Sequence, residues 1–219
     1  MPRLQPVRLP QPALSKGGSL ARALQLRRTI REISHRPVSR QVLSNLLWAA
    51  DGVNRKNGPF AMPGRTAASA SNSQEIDIYV LVQAGTYFYN PFAHALLPVA
   101  TGDIRRRAIG RGETDTGAHA PVRLVYVADI DRLTHTRGFM EPGLQDPDVQ
   151  RSYYFVDTGL VAANVYLYAA SVGLAAWFHN CDRIALKSRL RLPNDQCVLF
   201  GQTVGYPLSK SSVSSQQGA

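Results

Sequence analysis

Between Asp157 and Gly173 the chain runs DTGLVAANVYLYAASVG, apolar at nearly every position. A helix that is apolar on every face is normally buried on every face, and the many small residues here let other backbones approach closely. With Asp157 and Asn164 inside it, the run is too short and too polar for a membrane span. It reads as a central helix covered on several sides, either by the core of its own chain or by a second subunit. Upstream, Ser19 caps a helix with the sequence LARALQLRR that ends near Arg28. Ser39 caps a second one, RQVLSNLLWAA, whose Leu43, Leu46, Leu47 and Ala50 share a face and which Gly52 stops.

Extended segments follow. Residues 76–82, IDIYVLV, predict a strand, and residues 87–89 and 94–99 predict a hairpin about Asn90-Pro91. Residues 122–128 form a second strong strand, 174–178 a short buried one and 197–204 the last, which Gly205-Tyr206-Pro207 ends. Asp182 caps a helix reaching about Leu190. Residues 102–107 suit a short helix, and 131–148 read as polar and irregular. Helices bracketing a mostly antiparallel sheet give an α+β order. Residues 1–18 are Pro-rich and read as an extended arm, ordered only where it wraps something. Residues 19–208 form a single domain and 209–219 a low-complexity, flexible tail. No repeat or linker divides the chain. The Gly-, Pro-, Ser- and Asn-rich stretch 52–74 is a long loop of the kind that is functional or mobile.

Composition narrows the function classes. The chain has 219 residues, 44% of them hydrophobic, enough for a real core. A formal net charge of +10 favours anionic partners, but no basic helix with base-reading spacing and no zinc pattern accompanies it, which argues against nucleic acid. Cys181 and Cys197 are not spaced as a CxxC pair; a disulfide framework or structural zinc is disfavoured and a single bridge stays open. The first residues lack an apolar h-region, so as written they carry no secretory signal. The expectation is a cytoplasmic protein, or a periplasmic one if a leader has been removed.

Three stretches carry candidate chemistry. In RRTIR, residues 27–31, three guanidiniums and a hydroxyl can converge on a phosphate; the plain alternative is a solvated basic helix end. In RTAASASNSQ, residues 65–74, small residues would let a flat ligand lie against the backbone while Ser, Asn and Gln offer donors and acceptors to a heterocycle; alternatively it is a polar loop. In GLAAWFHN, residues 173–180, an apolar strand delivers His179 and Asn180 at its exit, where a lone His is more often structural. No nucleophile–base–acid set, P-loop or GxGxxG appears. Such an arrangement leaves the chemistry to a cofactor.

Taken together, RRTIRE (residues 27–32), PVSRQVLSNLLWAADGVNR (37–55), RTAASASNSQEIDIYV (65–80), DTGLVAANVYLYAASVGLAA (157–176) and TVGYP (203–207) resemble, in order, the segments of the FMN-dependent nitroreductase family. The likeness spans roughly residues 20–207. The QEIDIYV form and the hairpin GTYFYNPFAHALLPV are nearer the branch containing SagB-type dehydrogenases. The resemblance implies a homodimer with FMN at the subunit interface, without nucleic acid or a membrane span. It also implies electron donation by NADH or NADPH and a small organic acceptor such as a nitroaromatic or quinone. It assigns Arg27, Arg28, Thr29 and Arg31 to the phosphate and ribityl chain, and Ser69, Asn72 and Gln74 to the ribityl chain or isoalloxazine edge. His179 and Asn180 fall to the pyrimidine side, where a positive group would stabilise charge near N1, and Lys210 to the phosphate. Ala68 departs from the family's Pro and Thr29 from its Ser. Other readings of the same scaffold are a SagB-like dehydrogenase of a specific substrate and a flavin-binding protein without efficient turnover.

Overall fold

The computed structural model describes residues 4–15, 17–112, 114 and 120–208. In chain order its elements are β1 (Val7–Arg8), α1 (Leu20–Leu26), α2 (Arg40–Asp51), β2 (Val53–Arg55), β3 (Gly64–Arg65), β4 (Ile76–Val82), β5 (Gly85–Asn90), β6 (Ala95–Thr101) and β7 (Val122–Asp129). They continue with α3 (Ile130–Thr134), α4 (Pro147–Ser171), β8 (Ala175–His179), α5 (Arg183–Leu190) and β9 (Gln196–Gly205). The expected caps are in place: the hydroxyls of Ser19 and Ser39 accept from the N–H groups of Arg22 and Val42, and Asp182 accepts from Ala185.

Seven strands form one sheet in the order β1-β6-β5-β4-β7-β9-β8, every pairing antiparallel, so the α+β expectation holds. Alternation along the strands divides the core in two. On one face, Ile78, Val80, Leu124 and Tyr126 pack with Leu46 and Leu47 of α2 and Val161 and Val165 of α4. On the other, Leu81, Val125 and Val127 pack with Leu186 and Leu190 of α5.

The N-terminal segment does wrap something. Val7 and Arg8 pair with Leu96 and Ala95 of β6, and Leu9 N donates to His94 O at 3.1 Å. Beyond it, Ala13 N reaches Asn45 Oδ1 at 2.9 Å, and Gln41 Nε2 donates to Gln11 O. The segment thus extends the sheet by one strand and then crosses α2.

Several local expectations are corrected. α1 ends at Leu26, so Arg27 and Arg28 lie beyond it. The stretch expected as a helix at 102–107 is a 3₁₀ turn over Arg105–Ala108. The 52–74 stretch contains the short β2–β3 ladder and two 3₁₀ turns. α4 starts ten residues before Asp157, at Pro147, with Asp146 accepting from Asp148 N. Its first turns lack a continuous apolar stripe, and the signal that begins it is a cap followed by Pro at the first helical position. Nor is α4 buried all round within one chain. Val161, Ala162, Val165 and Ala169 face the core, whereas Phe155, Val156 and Leu160 are 38%, 58% and 41% exposed. Cys181 and Cys197 are not joined by a disulfide. Among the described residues no helix is long and apolar enough to cross a membrane.

Candidate functional site

Beyond α1 the chain runs along β8, the outer strand of the sheet: Ile30 N donates to Ala176 O at 3.0 Å, and Ile33 bridges to Pro207. This course sets Arg28, Thr29 and Arg31, with Glu32 and Leu208, around an open cavity of about 620 Å³. The hydroxyl of Tyr166 on α4 accepts from Phe178 N at 2.8 Å and lies 3.1 Å from Thr29 Oγ1. With its oxygen so engaged, the phenol can donate to Thr29, leaving the Thr29 hydrogen for a ligand oxygen. A hydroxyl and two guanidiniums on one wall suit a phosphate, which both can bind through charge-assisted hydrogen bonds. Arg27 is not on this wall; its guanidinium lies over the Tyr166 ring, 5.7 Å from the centroid.

The second group is the loop before β4. Ala70–Asn72 make a 3₁₀ turn, and Ser71, Asn72 and Gln74 have φ of 49°, 57° and 55°. Three non-glycine residues in the left-handed region cost on the order of 1 kcal/mol each, so the loop must be held. Gln74 N donates to Ser69 Oγ at 3.0 Å, and Gln74 Nε2 donates to Pro63 O and Asn72 Oδ1. Arg132 caps Gln74 O at 2.8 Å. Ser73 Oγ donates to Glu75 Oε2 at 2.6 Å, and Ala70 N donates to Asp157 Oδ2 of α4 at 2.8 Å. Both amide hydrogens of Gln74 are therefore used inside the loop. Its buried carbonyl oxygen has no donor among the described residues.

Asn72 lines two cavities. One, of about 610 Å³, has Phe60, Met62, Phe92 and Arg132 on its walls; the other, of about 310 Å³, has Arg55, Ala68 and Ser69. Buried ion pairs floor the larger one. Arg65 pairs with Asp51, and Arg132 with Asp77 at 3.0 Å. Burial outweighs these partners: it pushes Asp51 up to about 7 and raises Asp77. Burial, and then the neighbouring Asp157, push Glu75 up to about 8; burial likewise raises Asp157.

His179 is buried, with Nδ1 2.8 Å from Asn180 O and Nε2 2.8 Å from Thr203 Oγ1, and its ring packs on Trp177. Alternation along β8 puts Phe178 with the α4-side core and turns His179 the other way, towards Gly201 and Ala108 on the α5 side. Asn180, at the strand exit, is exposed. Lys210 lies outside the described residues.

Within one chain the two groups line separate cavities, and both are tied to α4: Thr29 through Tyr166, and Ala70 through Asp157. These helix positions are nine residues apart, about 14 Å along the axis. Tyr166, Asp157 and Glu75 are the residues that sequence reasoning passed over. The signals available were a carboxylate opening an apolar run and a Glu at the head of an apolar strand.

The nitroreductase family profile matches residues 24–206. A provisionally assigned nitroreductase of Methanocaldococcus jannaschii is 30% identical over 173 residues, 74% of this chain and 80% of that protein. A crystal structure of a provisionally assigned nitroreductase from Ralstonia eutropha superposes with a TM-score of 0.82 at 34% identity, covering 94% of this chain and 90% of its own. The NADPH:FMN oxidoreductase of Vibrio harveyi, in its complex with NAD+, shares the fold at 20% identity and a TM-score of 0.59, over 91% of this chain and 74% of its own.

Proposed function

The chain belongs to the nitroreductase family of oxidoreductases, and on that premise we propose that it is a homodimeric FMN enzyme. It takes electrons from NADH or NADPH and passes them to a small organic acceptor such as a nitroaromatic or a quinone. This reading rests on the open cavity whose wall combines Arg28, Thr29 and Arg31, a donor set matched to a phosphate monoester. The Asn72 loop at the other anchor of α4 supports it, as does the buried Gln74 carbonyl that lacks a donor among the described residues.

When bound, the flavin would supply the redox chemistry, taking hydride at N5 and giving it up to the acceptor. The protein's own part is to bind, orient and exclude water. Arg28 and Arg31 neutralise the phosphate, and Thr29 donates to it. Tyr166 holds Thr29 and the β8 backbone in register. Ser69, Asn72 and Gln74 shape the ring end, and Phe60, Met62 and Phe92 give the adjoining cavity apolar walls for a planar acceptor. No described side chain is required as a general acid or base. A second copy would cover Phe155, Val156 and Leu160 on α4 together with the exposed Leu20 and Leu24 of α1.

The test is an absorption spectrum of the purified protein, then of the supernatant after heat denaturation. About one FMN per chain, with NADH or NADPH oxidation on adding a nitroaromatic or quinone, is the expected result. A colourless protein that takes up no added FMN sinks the reading. Arg28→Ala/Arg31→Ala should weaken FMN by roughly a hundredfold or more, since each charge-assisted hydrogen bond contributes about 2 kcal/mol. Riboflavin, which lacks the phosphate, should bind equally to both proteins.

A further inference from the structure

Glu75 sits where the loop enters β4 and is 0% exposed; Asp157 faces it from α4 and is 4% exposed. Glu75 Oε2 accepts from Ser73 Oγ, whereas Oε1 has no hydrogen-bond donor among the described residues. Its carboxyl instead meets that of Asp157, whose Oδ2 accepts from Ala70 N. Two carboxylates in contact away from water cannot both be charged. One proton between them removes the repulsion and gives Glu75 Oε1 a hydrogen-bond partner.

We propose that Glu75 and Asp157 are positioning residues of the 69–74 loop, joined by a single shared proton, and that the loop's hold on the flavin ring loosens when that proton leaves. The proposal rests on the flavin reading above. The pair grips the loop on both sides of two of its left-handed residues, Ser71 and Asn72: Asp157 through Ala70 before them, Glu75 through Ser73 after them. Without that grip the backbone at 71–74 would relax towards ordinary conformations. The proton stays with Glu75, because the Ala70 N–H favours the ionised form of Asp157. The cations around the loop are committed elsewhere. Arg132, on α3, caps Gln74 O and pairs with Asp77 and Asp129; Arg65, on β3, pairs with Asp51. On α4 the nearest basic residue before Asp157 is Arg151, beside Asp148. Neither carboxyl is therefore offered a counter-ion among the described residues, and above the titration of Glu75, near 8, two buried charges would face each other.

The experiment measures FMN affinity across pH for the wild type and Glu75→Gln, with infrared spectra of both proteins. The Gln amide can donate to Asp157 and accept from Ser73 with no proton to lose. In the wild type, FMN dissociation should strengthen with alkaline pH by up to about tenfold per unit, while Glu75→Gln stays flat. The difference between the wild-type and Glu75→Gln spectra at neutral pH should contain a buried carboxylic acid band. Glu75→Ala, lacking the bridge, should bind FMN weakly at every pH. Equal pH slopes in wild type and Glu75→Gln, or absence of the band, would overturn the shared proton. The band present with no FMN bound at any pH would instead overturn the flavin reading beneath it.

Discussion

Glu75 links local chemistry to the stability of the whole chain. Burial moves its carboxyl from an ordinary value of 4.5 to about 8, so the folded state holds the proton more tightly than the unfolded one. A raised carboxyl contributes stability that is complete below the unfolded value and drains away as pH rises through the folded one. Urea unfolding near pH 5 and near pH 9 should therefore show a loss at the alkaline end on the order of a few kcal/mol. Glu75→Gln should flatten much of that slope. Asp51, Asp77 and Asp157 are also raised and leave a remainder; parallel slopes for variant and wild type would contradict the assignment. At this scale the sequence is partly legible. The RRTIR run reads as an anion-binding cluster, and Arg28, Thr29 and Arg31 do share one wall. Residue type says nothing of side-chain direction, however, so Arg27 stacking on Tyr166 and His179 turning away from the α4 side could not be read. The partnership of Glu75 with Asp157 joins positions far apart in the chain and has no local pattern.

Among the elements, α4 shows what periodicity can and cannot convey. Its apolarity from Asp157 onward marks it as central, yet the single chain covers only part of it. The remainder includes the apolar residues Phe155, Val156 and Leu160, which are exposed. Leu160→Asp should convert a wild-type dimer to monomer in sedimentation velocity, because an unpaired carboxylate at a dry interface costs several kcal/mol. A wild type that sediments as a monomer at micromolar concentration would contradict the proposed pairing. Short-range signals served better. Ser19, Ser39 and Asp182 all cap the helices they were expected to cap, since capping depends on residues three apart. The start of α4 was hidden because Asp146-Pro147 opens turns with no continuous apolar stripe to announce them.

For the molecule as a whole, the net charge of +10 bears on encounter rather than on fold. FMN and NAD(P)H are both anionic, so a basic surface should speed their capture in a salt-dependent way. Stopped-flow uptake of FMN by apoprotein should slow by roughly tenfold between low and high salt; a rate indifferent to ionic strength would show that the charge plays no part in capture. The sheet's order was not readable from the chain beyond its hairpin, because the β7–β9–β8 side is assembled from strands that only the long helix brings together. The N-terminal segment, by contrast, behaves like a stopper in a bottle. β1 occupies the outer rim of β6, and the residues after it are pinned to α2. A protease cutting near the exposed Leu14 would free that stopper and bare a hydrogen-bonding rim, giving each damaged molecule a place to recruit the next into an aggregate.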